Sequence, residues 1–88
     1  MEVEYDKGKN QKNIELRGID FELAKFFDFT SALIFQDIRK DYGEKRYSAI
    51  GYIDQDIFVL IFTPRGQKLR VISLRKANKR EKRKYHEQ

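Results

Sequence analysis

The sequence predicts an α+β fold: a four- to five-stranded, largely antiparallel sheet with two N-terminal helices on one face and a basic C-terminal helix. Three observations carry that reading. From Ser31 onward, short apolar runs alternate with turn residues, the pattern of strands in succession. Ahead of them, two stretches each open on an aspartate and continue with helical spacing. Beyond them, Arg75 to Lys84 holds seven Lys or Arg and one Glu in ten residues, a composition that suits a solvated helix.

The elements follow in order. Met1 to Tyr5 alternates weakly, with Val3 and Tyr5 opposite Glu2 and Glu4, which suits a short half-buried strand. Asp6 can cap a helix over Lys7 to Arg17, and Gly18 can end it in the left-handed conformation. Asp20 caps a second helix whose apolar face is expected to be Phe21, Leu23, Ala24, Phe26 and Phe27. SALIFQD, RYSAIGYI and IFVLIFT are three strands, separated by turns around Gly43 and at Asp54 to Asp56, and they should pair antiparallel. Pro64, Arg65 and Gly66 close a further hairpin into KLRVISLR. Ile57 to Phe62 is apolar on both faces and belongs in the middle of the sheet. The Phe and Tyr residues mostly fall at strand or helix-face spacing, so core packing explains most of them better than base stacking.

Bulk properties narrow the function. Eighty-eight residues form one domain, 1–88, with a single small core. The chain has no cysteine, which excludes disulfides, thiol nucleophiles and Cys-based zinc sites, and its one histidine is His86. Neither a histidine pair nor a Ser-His-Asp triad can be assembled, and the acidic residues are scattered, with no Asp-x-Asp or Glu-x-x-Glu spacing beyond Asp54 and Asp56 in a turn, so no cofactor and no metal site are expected. The longest uninterrupted apolar run, Ile57 to Phe62, is far short of the ~18 residues that span a bilayer, and a cytoplasmic, membrane-free protein is expected. The net charge of +5 is concentrated in the run from Arg75 to Lys84, which carries +6. A segregated cationic element attracts polyanions by steering and counterion release, which makes Lys76, Lys79, Arg80 and Arg83 candidate RNA-binding residues.

Further cations recur on the strands. Arg46 opens RYSAIGYI, and Lys68, Arg70 and Arg75 lie in KLRVISLR. Regular alternation puts Lys68, Arg70, Ile72 and Leu74 on one face and Leu69, Val71, Ser73 and Arg75 on the other, so that Arg70 and Arg75 should point apart. An arginine inside an apolar strand needs an anion. For Arg70 that is either a carboxylate such as Glu44 or Glu81, or a bound phosphate, and for Arg75 phosphate is the favoured partner.

These segments also carry a resemblance. GEKRYSAIGYI at Gly43 to Ile53, then VLIFTPRG, LRVISLRKA and KREKRKY at Lys79 to Tyr85, together with YDKGKNQKNIELRGIDFELA near the start, resemble the BrnT family of toxins from bacterial type II toxin–antitoxin systems. The resemblance implies a RelE-like ribonuclease fold, an endoribonuclease that cleaves mRNA and arrests translation, and neutralisation by a BrnA-like antitoxin in an oligomeric complex. The matching positions are Glu44, Arg46, Arg70, Ser73, Arg75, Glu81 and Tyr85. Where the family pattern has Lys-His-Gly, this chain has Leu16-Arg17-Gly18, which implies a weakened site if the family histidine takes part in the chemistry.

RNA supplies its own nucleophile, the 2′-hydroxyl. A metal-free ribonuclease therefore needs a proton acceptor, a proton donor and cations for the phosphorane. Glu44 fits the first role, Tyr85 the second, and Arg46, Arg70 and Arg75 the third, with Ser73 among the RNA-binding residues. The alternative is a non-catalytic module, for which the basic helix alone would suffice to bind nucleic acid or an acidic antitoxin segment.

Overall fold

A computed structural model describes residues 1–88. Five strands form one mixed sheet: β1 (Val3–Glu4), β2 (Leu33–Asp37), β3 (Arg46–Ile53), β4 (Asp56–Arg65) and β5 (Lys68–Lys76), in the spatial order β1-β5-β4-β3-β2. β2 through β5 are an antiparallel meander, whereas β1 joins β5 in parallel through the pairs Val3–Leu69 and Glu4–Arg70. β4, the all-apolar run, is central as its sequence predicts. Pro64 sits near the end of β4, opposite Leu69 and beyond the reach of β3, where its missing N–H removes no ladder bond.

Helix α1 (Lys7–Arg17) has the predicted caps: Asp6 accepts from Lys9 N, and Gly18, at φ 70°, donates to the Ile14 carbonyl. What docks it is polar. Asn10 and Asn13 are its buried residues, while Leu16 is 85% exposed. Asn13 Nδ2 donates to the carbonyls of Ile19 and Leu74 at 2.9 and 3.0 Å, and Asn10 Oδ1 accepts from Phe21 N at 2.7 Å. Each bond satisfies a main-chain group that would otherwise be buried without a partner.

The second predicted helix is a 3₁₀ helix, Phe21–Phe26. With three residues per turn, Phe21, Ala24 and Phe27 line up on one side and are buried, and Phe26 turns to solvent. The expectation that Phe26 shares the core face therefore fails. The main core joins these three residues to Ala49, Phe58 and Leu60 on one sheet face. Gly51 permits that approach, because a Cβ there would lie 2.9 Å from the Phe27 ring and 3.0 Å from Ala32 Cβ.

Helix α2 (Lys79–His86) packs on the opposite face, over Ile50, Ile57 and Val59, with Tyr85 as its buried anchor against Tyr52. Asn78 and Glu81 form a reciprocal capping box at its start. No helix is long and apolar enough to cross a membrane.

Candidate functional site

The face that α2 covers only in part carries the polar and charged strand residues. Its geometry depends on one irregularity. Ile61 pairs with Ser73 and Phe62 with Val71, so Ile72 is an extra residue in β5. The bulge reverses the alternation. Leu69, Val71 and Leu74 all enter the main core, and Arg70, Ser73 and Arg75 share the other face. Strict alternation, which would point Arg70 and Arg75 apart, is thus corrected by one inserted residue.

Reading across the sheet on this face gives ordered rows. Asp37 pairs with Arg46; one step beyond the Tyr47–Phe62 pair, Arg46 lies beside Thr63, which pairs with Arg70, which pairs with Glu4. The next row is Phe35, Ser48, Ile61 and Ser73, and the next is Leu33, Ile50, Val59 and Arg75. Between the charged row and α2 lies a groove of about 360 Å³, floored by Ser48, Ile50, Val59 and Ile61. Arg75, Arg80, Glu81 and Lys84 form one wall, and Phe35 to Arg39 form the other.

Arg75 Nη1 and Nη2 donate to the two carboxylate oxygens of Glu81, each at 2.8 Å. The pair raises the guanidinium's pKa and holds the Glu81 carboxyl below the usual carboxylate range. Glu81 also accepts from Asn78 N at 2.9 Å, so one side chain both starts α2 and holds Arg75.

On the opposite wall the buried Asp37 carboxylate receives Arg39 Nε and Nη2 at 2.9 and 2.8 Å and the Tyr42 hydroxyl at 3.3 Å. These bonds, with Arg39 the largest cause, hold the Asp37 carboxyl far below its ordinary range. The β2–β3 loop is organised around that one carboxylate. The Arg46 guanidinium carbon lies 4.1 Å from the centre of the Tyr42 ring, and Lys84 Nζ lies 4.6 Å from the centre of the Phe35 ring.

The sequence-predicted residues divide accordingly. Arg75 and Arg80 line the groove, and Arg46 and Ser73 lie on the same face. Arg70 shares that face but donates to Glu4 at 2.9 Å, so its carboxylate partner is Glu4 rather than Glu44 or Glu81. Glu44 lies in the β2–β3 loop beside an adjoining hollow, held by Arg46 Nε at 3.4 Å and Arg65 Nη2 at 3.3 Å. Tyr85 is buried under α2, its hydroxyl donating to Ser31 Oγ at 3.2 Å. Lys76 pairs with Asp56 at 3.5 Å, and Lys79 and Arg83 are exposed on α2 outside the groove lining. Arg17 also lies outside it, on α1, where its Nη1 donates to Asn13 Oδ1 at 2.6 Å. Groove residues that sequence reading missed are Phe35, Asp37, Arg39, Ser48 and Lys84. The alternation Leu33, Phe35, Asp37 places the first two of these on a single face of β2.

These features define a small α+β domain with one basic, groove-bearing sheet face. Residues 5–81 match the family of the ribonuclease toxin BrnT of type II toxin–antitoxin systems, and the chain belongs to that family. A search of curated proteins finds none that matches. Membership gives the domain RNA as its class of substrate and an antitoxin as its class of partner.

Proposed function

We propose that this chain is a RelE-like endoribonuclease that cleaves mRNA without a metal, arrests translation in the cytoplasm, and is silenced by a BrnA-like antitoxin covering the groove. The observation that carries the reading is the gathering of Arg39, Arg75, Arg80 and Lys84 around one groove, with Arg46 on the same sheet face beside Asp37, in a member of a ribonuclease-toxin family. A phosphodiester seated there meets guanidinium donors on two sides, the arrangement that stabilises charge building on a phosphorane.

In this mechanism the scissile phosphate takes over the Arg75 fork that now holds Glu81. A carboxylate released from its guanidinium regains basicity, and Glu81 then accepts the 2′-hydroxyl proton as that oxygen attacks phosphorus. The P–O5′ bond breaks as the departing 5′-oxygen takes a proton from solvent water in the open groove, and the products end in a 2′,3′-cyclic phosphate and a 5′-hydroxyl. Arg46 supports the far side, with Glu44 orienting it and Arg70 adding to the cationic row. Tyr85 holds α2 in place, and the exposed Lys79 and Arg83 draw in the polymer.

The test is cleavage of an RNA by purified protein in excess EDTA. The expected result is undiminished cleavage with cyclic-phosphate ends, and loss of cleavage when the 2′-hydroxyls are methylated. Cleavage abolished by EDTA, or persisting on the methylated RNA, overturns the mechanism.

A further inference from the structure

Phosphate chemistry leaves one part of the groove unused. Phe26 and Phe35 are the two exposed phenylalanines, and only Phe35, 40% exposed, faces the groove. It stands directly opposite Ser48 on β3, with Ile61 next across the sheet and Lys84 Nζ over its ring. Three aliphatic side chains, Ile50, Val59 and Ile61, line the floor, and the rim carries four cations against two carboxylates. The volume, about 360 Å³, falls in the range of pockets that enclose small organic ligands. An apolar interior with an aromatic wall and a cationic rim matches a nucleotide, whose flat base is apolar on its faces and whose phosphate is anionic. A bare phosphate would need no aromatic wall, and an aliphatic peptide side chain would need no surplus of cations.

We propose that Phe35 is a stacking platform for one unpaired base of the RNA, with Lys84 swinging from the ring to an adjacent phosphate as the base enters and the Ser48 hydroxyl meeting the base edge. The inference rests on the ribonuclease reading and adds to it a specificity-determining residue. Because stacking tolerates every base, Phe35 supplies affinity for single-stranded RNA over duplex, and the groove floor sets how large a base enters.

The chain contains no tryptophan and five tyrosines, so Phe35→Trp installs a single tryptophan at the platform, which can be excited selectively beyond the tyrosine absorption band. Titration with a 2′-O-methyl oligoribonucleotide, which cannot be cleaved, is expected to quench it saturably. Inorganic polyphosphate, a base-free polyanion, is expected to bind at the rim without quenching. In the Phe35→Ala protein, anisotropy should show oligonucleotide binding weakened about tenfold and polyphosphate binding unchanged. Equal quenching by polyphosphate, oligonucleotide binding without quenching, wild-type affinity in Phe35→Ala, or quenching by an antitoxin peptide but not by oligonucleotide each overturns the platform. Cleavage by the wild type is measured alongside. RNA cut normally without these base-dependent signals removes the platform and leaves the nuclease, whereas intact signals without cleavage support the platform and remove the nuclease.

Discussion

Arg75 and Glu81 hold each other through two parallel hydrogen bonds of 2.8 Å, joining the end of β5 to the first turn of α2. The clasp fixes where the helix wall stands and keeps the Arg75 guanidinium in the lining of the groove, its fork turned to Glu81. It also sets the groove's resting state, with the arginine satisfied internally until a stronger anion arrives.

Replacing Arg75 with Ala should therefore lower RNA cleavage by roughly 10²- to 10³-fold, the usual loss for one transition-state donor, while circular dichroism stays native and antitoxin binding persists. Arg75→Lys should recover little, because an ammonium cannot make the bidentate contact. A gel-based cleavage assay on both proteins checks this, and wild-type rates in folded Arg75→Ala would remove the residue from the chemistry.

The same pair predicts a pH dependence of stability. The Glu81 carboxyl is depressed below its ordinary value in the folded chain, chiefly by its hydrogen bonds from Arg75. The pair's contribution is then fully present above pH ~5 and is lost as pH falls through the depressed folded value. Glu81→Gln keeps a residue that can complete the capping box but removes the charge. Its melting temperature should lie a few degrees below wild type at pH 7, since a partly exposed pair is worth about 1 kcal/mol or less. The gap should close as the pH approaches 3. Thermal melts of the two proteins from pH 7 to 3 measure it, and a gap that widens in acid contradicts the sign.

Gly51→Ala should destabilise the domain by about 1–3 kcal/mol. The added methyl meets Phe27 Cζ at 2.9 Å, Ala32 Cβ at 3.0 Å and the Asp28 carbonyl at 3.3 Å, so the segment from Phe27 to Ala32 must move. Urea unfolding reports the change, and an unaltered midpoint would show that this segment yields freely.

Restoring the family histidine by Arg17→His should leave cleavage unchanged, because Arg17 stands on α1 against Asn13, outside the groove. Stability should change slightly through the lost bond to Asn13. A several-fold rise in RNA cleavage by Arg17→His would bring α1 into the site.

The order of elements was legible because β4 is apolar on both faces, the meander turns carry glycine or clustered polar residues, and Asp6 and Gly18 mark the ends of α1. Three things escaped for physical reasons. A bulge at Ile72 has no composition signal in KLRVISLR, yet it decides that Arg70 and Arg75 share a face. The three-residue period at Phe21–Phe26 differs from an α-helix by less than one residue per turn, so the sequence pattern places Phe26 inward although it is 61% exposed. The docking of α1 through Asn10 and Asn13 defeats any reading that looks only for an apolar stripe. Within the site, Arg75 and Arg80 were readable from local charge. Phe35, Asp37 and Arg39 were not, since β2 reads as an ordinary apolar strand and its place across from α2 is a property of the whole sheet.

The two-residue pairing of β1 with β5 has a dynamic consequence. It joins positions 66 residues apart and rests on few main-chain bonds, while every other neighbour pair in the sheet is a hairpin of adjacent strands. Distant, sparse pairings form late and open first. When β1 lets go, two things happen at once: the outer N–H and C=O groups of β5 near Leu69 become available to another extended chain, and Arg70 loses Glu4 and turns its charge loose on the groove face. Hydrogen exchange at Leu69 N, which donates to the Glu2 carbonyl at 3.0 Å, would time that opening, and the opening couples strand capture at one margin of the sheet to the electrostatics of the site beside it.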